Sequence, residues 1–499
     1  MHKVSRTMST QHPDNVAQPF FANNAVLEGE DEIKEAFYAF SHLNCNEQLW
    51  DCEGKEVDNF VVQKLLTKYP DYFSKHILGK EKMITLRLPN PTVQKTDAKI
   101  LLEALHSIPR NFDINNLFYN NLQYKEEISP IQEVYIPMVT TAKEVIRVSE
   151  YYQQYVIKAQ NNAIMPKDIS IADWLGKSLP NKIRVTPLIE TTEGMLAADK
   201  IAKELILHEK PTDYQRIWLA RSDPALNYGS LSAVIINKVS LQKLQDIEDE
   251  MSIDILPILG CGSAPFRGNL TPQNTERIIK GYPSVHTFTL QSSFKYDHPL
   301  DEVKNAVTLI NETKRKKPVA IDEEKALIIL NKIAAEYQKT LPLLVPMIDA
   351  ISPMIPKRRK RHLHIGLFGY SRASAGLKLP RAITFCASLY SAGLPPELLG
   401  LSCLTEKEKE FIKTFYPSFD FDTKEALQYL NIDNLKYFPK EISAPILKIT
   451  KEYKNDSAFE INQEYKKITS ILMENLKNNH NSLVAENIVQ AAFKRGFLG

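Results

Sequence analysis

The stretch Ile183-Arg-Val-Thr-Pro-Leu-Ile-Glu190 decides the fold. It is a short, apolar, β-branched run that stops on a carboxylate, which is how a buried parallel strand delivers a polar side chain to the rim of a sheet. Working outward, similar runs lie at Val4 to Ser9, Met83 to Leu88, Val134 to Val139, Arg216 to Ala220, Ile253 to Leu259, Val285 to Leu290 and His362 to Phe368, which makes eight. Helical start signals fall between them. Thr141-Ala-Lys-Glu144 has capping-box spacing, and Thr271-Pro272 joins an N-cap to a proline at the first helical position. Alternating strands and helices imply a parallel sheet. Eight units are what a closed (β/α)8 barrel of the TIM type requires, whereas an open doubly wound sheet more often has fewer and a glycine-rich loop after its first strand. The expected architecture is therefore α/β: a catalytic barrel over residues 1–394, with an insertion at about 13–82 that holds a helix near Asp31 to Phe40, and a C-terminal helical extension over 395–499.

Bulk composition excludes several classes. With 499 residues, 43% of them hydrophobic, and a formal net charge of +2, the chain can bury a large core and has no global pull towards nucleic acid or an anionic membrane. No uncharged apolar run approaches the about 18 residues of a membrane span, and the opening residues lack the apolar core of a signal peptide. Five cysteines without CxxC spacing fit reduced thiols, and a cytoplasmic location is expected. The basic tracts Lys314 to Lys317 and Lys357 to Arg361 read as solvated faces; the second leads into the run at His362 and so is expected at the end of the barrel opposite the active site.

Barrels of this kind place their chemistry at the C-terminal ends of the strands. There the sequence offers His12, Arg87, Glu190, Arg221-Ser-Asp223, the loop Gly260-Cys-Gly262-Ser-Ala-Pro-Phe-Arg267, and Ser371-Arg372. Taken singly, Glu190 or Asp223 reads as a helix cap, His12 as a structural histidine and the glycines as a turn. Taken together, two carboxylates from adjacent strands suit a hard divalent cation that keeps sites open for water and substrate oxygens. Converging arginines suit a substrate that carries phosphate and carboxylate, either of which their planar forks bind bidentately. Cys261 could be a nucleophile, but no base is placed beside it. His362-Leu-His364 suggests a metal pair, yet sits early in its run.

These residues, in this order, resemble those of the phosphoenolpyruvate carboxylases, specifically the short archaeal-type branch. Thr7-Met-Ser-Thr-Gln-His12-Pro-Asp-Asn matches the opening of that branch; Trp50-Asp-Cys-Glu-Gly, Pro187-Leu-Ile-Glu190-Thr, Ser222-Asp223, Phe266-Arg267-Gly, Ser371-Arg372 and Pro380-Arg381-Ala-Ile are similar to further segments of the family. The resemblance covers nearly the whole chain. It implies Glu190 and Asp223 as ligands of Mg2+ or Mn2+, His12, Arg267, Arg372 and Arg381 as catalytic, and Arg87, Gly262, Arg267, Arg372 and Arg381 as substrate contacts. Three departures from the longer enzymes stand out: Leu259 and Cys261 occupy positions of a loop histidine and arginine, and Leu226 that of a lysine.

The activity implied is stepwise. Bicarbonate attacks the phosphate of phosphoenolpyruvate to give carboxyphosphate and the enolate of pyruvate, and CO2 released from carboxyphosphate is captured by the enolate to form oxaloacetate. The resemblance also implies a homotetramer restrained by malate or aspartate, with Arg267 as the responding cation on a mobile loop. Two other readings are compatible with the residues: a metal-dependent barrel lyase or aldolase acting on a pyruvate enolate without phosphoryl transfer, and a catalytically silent anion-binding protein. Bicarbonate-dependent phosphate release separates them.

Overall fold

Eight parallel strands close on themselves in the computed structural model, which describes residues 4–52, 58–360, 372–374, 377–453 and 460–499. The barrel order is β1 (Thr7–Ser9), β2 (Glu47–Asp51), β3 (Met83–Arg87), β4 (Ile131–Ile136), β5 (Arg184–Ile189), β6 (Tyr214–Ala220), β7 (Asp254–Gly260) and β8 (Thr287–Leu290), with β8 pairing back to β1 through Thr7 opposite Phe288. Helices cover the outside, as parallel connections demand. The expected class and strand number hold, but one member differs. The stretch 13–82, read as an insertion, carries helix Glu30–Ser41 and then a barrel strand, β2. The run at His362 to Phe368 is not needed for closure and lies outside the described residues, as does His362-Leu-His364.

The inward side chains explain why β2 was hidden. Alternate residues of a barrel strand point inward and stack in layers. At the floor, Arg216 of β6 donates to Glu133 (2.8 Å) and Tyr135 (2.6 Å) of β4, to Glu47 of β2 (3.0 Å) and to Thr287 of β8 (3.1 Å). Thr85 of β3 donates to Glu47 as well. Glu47-Gln-Leu-Trp-Asp51 therefore does not read as an apolar run, because its Glu47 is buried in this polar layer and Gln48, turned to the opposite face, is buried as well. Above that layer lie Met8, Leu49, Tyr135, Leu188, Trp218 and Ile258, an apolar middle that separates the floor from the rim.

The capping box at Thr141 and Glu144 forms as expected. The helix expected to begin at Thr271-Pro272 begins at Thr275, because the Thr271 hydroxyl and carbonyl first close a turn on Asn274. The segment after β8 continues through helices Leu300–Glu312 and Glu323–Ile351, and residues 372–379 supply an antiparallel pair, β9 (Arg372–Ser374) with β10 (Leu377–Leu379). Beyond helix Ala382–Ser391 the described residues are helical, with no strand, and among the described residues no helix is long and apolar enough to cross a membrane.

Candidate active site

Above the apolar middle, the C-terminal ends of the strands open into a cavity of about 940 Å3. His12, Arg87, Glu190, Asp223, Arg267 and Arg381 all line it, so the tertiary structure brings together six residues scattered over most of the chain. Leu188, Trp218 and Ala220 form its apolar floor, and the buried indole N–H of Trp218 has no hydrogen-bond partner among the described residues.

Glu190 directly follows β5 and Asp223 follows β6, neighbours whose registers align Leu188 with Trp218 and Ile189 with Leu219. The carboxylate of Glu190 accepts a hydrogen bond from the backbone N–H of Met138 at 2.7 Å. Met138 has a φ of 54°, a left-handed conformation that a side chain with a Cβ seldom adopts and that turns its N–H towards Glu190. Among the described residues no group of three or more His, Cys, Asp or Glu could share a metal ion. Two hard carboxylates facing one cavity are nevertheless a donor set that suits Mg2+ or Mn2+, which bind through one or two protein carboxylates and complete their shell with water and substrate.

His12 follows β1. Its Nδ1 lies 3.0 Å from the hydroxyl of Thr10, which in turn donates to the carbonyl of Leu290. If the Thr10 hydroxyl gives its hydrogen to Leu290, Nδ1 carries the proton in the neutral ring and Nε2 is the acceptor nitrogen. Arg87 forms a two-point pair with Asp51, Nε to Oδ1 at 3.0 Å and Nη2 to Oδ2 at 2.8 Å. Asp51 ends β2, and the hidden strand thus contributes to the site.

Arg267 is 2% exposed. Its guanidinium donates to Asp14 (3.1 Å), the Gly499 carbonyl (2.7 Å), Ser222 (3.2 Å) and Gln291. Burial raises the pKa of the Asp14 carboxyl even against the pull of Arg267. The loop that carries Arg267 is tied down as well: Gly262 N–H donates to the Arg267 carbonyl (2.9 Å), and Phe266 N–H donates to Glu397 (2.5 Å). Gly262 sits behind this arginine; a Cβ there would lie 2.9 Å from its guanidinium, so glycine leaves the space that Arg267 fills.

Arg381 is exposed at the N-cap of helix Ala382–Ser391 and lines the cavity. It follows the β9–β10 pair, not a barrel strand. Arg372 starts β9, likewise outside the barrel, and its side chain lies outside the described residues. Leu226, Leu259 and Cys261 are core residues, and burial pushes the Cys261 thiol up to about 12, which removes it as a nucleophile near neutral pH. The tract at 357–360, expected at the opposite end, lies on this rim: Lys357, Arg358, Arg359 and Lys360 line the same cavity. Arg359 is buried and pairs with Glu32 (2.7 Å) and Glu35 (2.7 Å) of helix Glu30–Ser41. Consecutive basic residues gave no sign of this; acidic partners more than 300 residues earlier did the placing.

Comparison with known proteins agrees with the geometry. A family model described as phosphoenolpyruvate carboxylase matches residues 4–499. A phosphoenolpyruvate carboxylase of Methanospirillum hungatei is 49% identical over 440 residues, 88% of this chain and 90% of that one. Those of Methanothermobacter thermautotrophicus and Halobacterium salinarum are 44% and 42% identical, each over 100% of both chains.

Proposed function

The chain belongs to the phosphoenolpyruvate carboxylase family, and we propose that the cavity at the strand ends is where phosphoenolpyruvate and bicarbonate become oxaloacetate and phosphate. The observation that carries this reading is the shared cavity itself: two carboxylates, an imidazole and several guanidinium groups face one space above an apolar floor. Glu190 and Asp223 would hold Mg2+ or Mn2+, which when bound supplies electrostatic stabilisation to the enolate oxygen. Arg381, and Arg372 by the family pattern, neutralise the substrate's phosphoryl and carboxylate charges. His12 accepts the carboxyl proton of carboxyphosphate on Nε2 and so assists its breakdown to CO2. Leu188, Trp218 and Ala220 give CO2 an apolar surface beside the enolate and keep water from protonating it.

Arg267 and Gly262 act by position. The guanidinium is clamped between Asp14, Gln291 and Gly499, and through Ser222 it borders the residue before Asp223. Restraint by a dicarboxylate such as malate or aspartate belongs to the same proposal and requires Arg267 to exchange these partners for the inhibitor. A homotetramer follows from the family reading, and the excursion between β4 and β5 supports self-association, since Tyr155, Met165, Ile169, Trp174 and Leu175 are exposed there. The five free thiols fit a cytoplasmic protein.

Incubation with phosphoenolpyruvate, bicarbonate and Mg2+, following oxaloacetate and phosphate together, is the test. Equal, bicarbonate-dependent release of both is expected. Phosphate-independent chemistry on pyruvate would transfer the site to the lyase or aldolase class.

A further inference from the structure

The cations around the cavity differ in what already occupies them. Arg87 is matched by Asp51, Arg359 by Glu32 and Glu35, and Lys360 lies 2.8 Å from Glu28. Arg221 donates to the Phe266 carbonyl and the Ser230 hydroxyl, and Arg267 is bound on every side. Arg358 differs from these five. Its Nε donates to the carbonyl of Asn15 at 3.3 Å, while among the described residues Nη1 and Nη2 have no hydrogen-bond or ion-pair partner.

Nor is Arg358 a loose surface residue. It is half-buried, and burial lowers its pKa with only Asp297 acting against that. Asp297 is itself committed to the backbone N–H groups of Val16 (2.8 Å) and Ala17 (2.7 Å). The backbone around Arg358 is fixed too: Leu27 N–H donates to the Arg358 carbonyl (3.0 Å), and Lys360 N–H donates to the Leu27 carbonyl (3.1 Å). Successive side chains of such an extended segment alternate in direction. Arg359 goes to Glu32 and Glu35 and anchors the segment, and its neighbour Arg358 is carried to the loop that follows His12. A half-buried guanidinium with an unused edge is costly to leave alone, and an anion in the cavity offsets that cost.

Resting on the carboxylase reading above, we propose that Arg358 is a substrate-binding residue whose Nη1–Nη2 edge grips the phosphoryl group of the substrate. Two adjacent N–H donors match two phosphoryl oxygens in one plane, a geometry that an ammonium cannot reproduce. The position beside the His12 loop fits the same assignment, because the carboxyphosphate on which His12 acts carries the transferred phosphoryl group.

The experiment uses the full chain with Arg358→Gln and Arg358→Lys. Loss of a two-point, charge-assisted contact should raise KM for phosphoenolpyruvate about tenfold to hundredfold in Arg358→Gln and weaken inhibition by inorganic phosphate by a similar factor. KM for bicarbonate should stay within about twofold, and Arg358→Lys should recover part of the loss. The melting temperature should not move, since one hydrogen bond to Asn15 is the only described polar contact removed. Unchanged KM for phosphoenolpyruvate and unchanged phosphate inhibition in both variants, beside an active parent, overturns the assignment. So does a shift confined to bicarbonate, or to inhibition by oxalate, a carboxylate without phosphorus. If the parent forms no oxaloacetate, the carboxylase reading fails, and calorimetric binding of inorganic phosphate to parent and Arg358→Gln still decides the role of Arg358.

Discussion

At the floor of the barrel Arg216 is fully buried between Glu47 and Glu133, and its charge is spent on strands β2 and β4. At the rim, Glu190, Asp223 and Arg358 line a cavity. Both regions hold acids and arginines. What separates them is the space they border: the floor side chains are buried among other strands, whereas at the rim the guanidinium edge of Arg358 borders a cavity of about 940 Å3 that a ligand can enter. A sequence motif cannot make that distinction, because Arg216 and Arg358 are the same residue with different neighbours.

The comparison breaks most severely at the metal carboxylates. Asp223→Ala should lower kcat/KM of the folded enzyme by at least about a hundredfold, since its carboxylate is one of the two proposed metal ligands. Full activity in that variant, or loss of the fold with it, would place Asp223 with the floor residues. Mg2+ titration of the same variant should show weakened binding.

Next in size is His12→Asn, which should still release phosphate from phosphoenolpyruvate in a bicarbonate-dependent way but form pyruvate in place of oxaloacetate as the stranded enolate is protonated. Measuring oxaloacetate, pyruvate and phosphate in one reaction checks this. An unaltered oxaloacetate-to-phosphate ratio with a lower melting temperature would make His12 a brace of the β1 end.

Arg381→Lys should have a smaller effect, raising KM for phosphoenolpyruvate about tenfold despite the retained charge, because the fork and not the charge alone makes the contact. Parent-like rate and affinity would move that contact elsewhere.

The mildest effect on catalysis is expected at the floor. Arg216→Met leaves Glu47 and Glu133 buried and uncompensated, which costs about 3–5 kcal/mol in urea unfolding, while molecules that remain folded should keep the parental kcat. Adding Glu47→Gln and Glu133→Gln should restore much of the stability, because a buried charge set removed together is far less harmful than one broken in half. Loss of kcat in the folded fraction would mean that floor and rim are coupled through the apolar middle.

The sequence by itself determined the alternation of strands and helices, the parallel sheet, and the delivery of Glu190, Asp223 and His12 to strand ends, because these depend on local apolar periodicity and on where each run stops. It missed strand β2 for a physical reason. Glu47-Gln-Leu-Trp-Asp51 buries a glutamate, and that is affordable only when Arg216, Tyr135 and Thr85 arrive from three other strands. The basic tract at 357–360 was misplaced for the matching reason. Its direction is set by Glu32 and Glu35 and by the bridge to Leu27, partners that a linear pattern cannot reveal. Tertiary structure alone decided which of the cavity's arginines are matched by acidic partners and which keep an open edge, since the energy of a buried charge depends on what surrounds it in space and not on its neighbours along the chain.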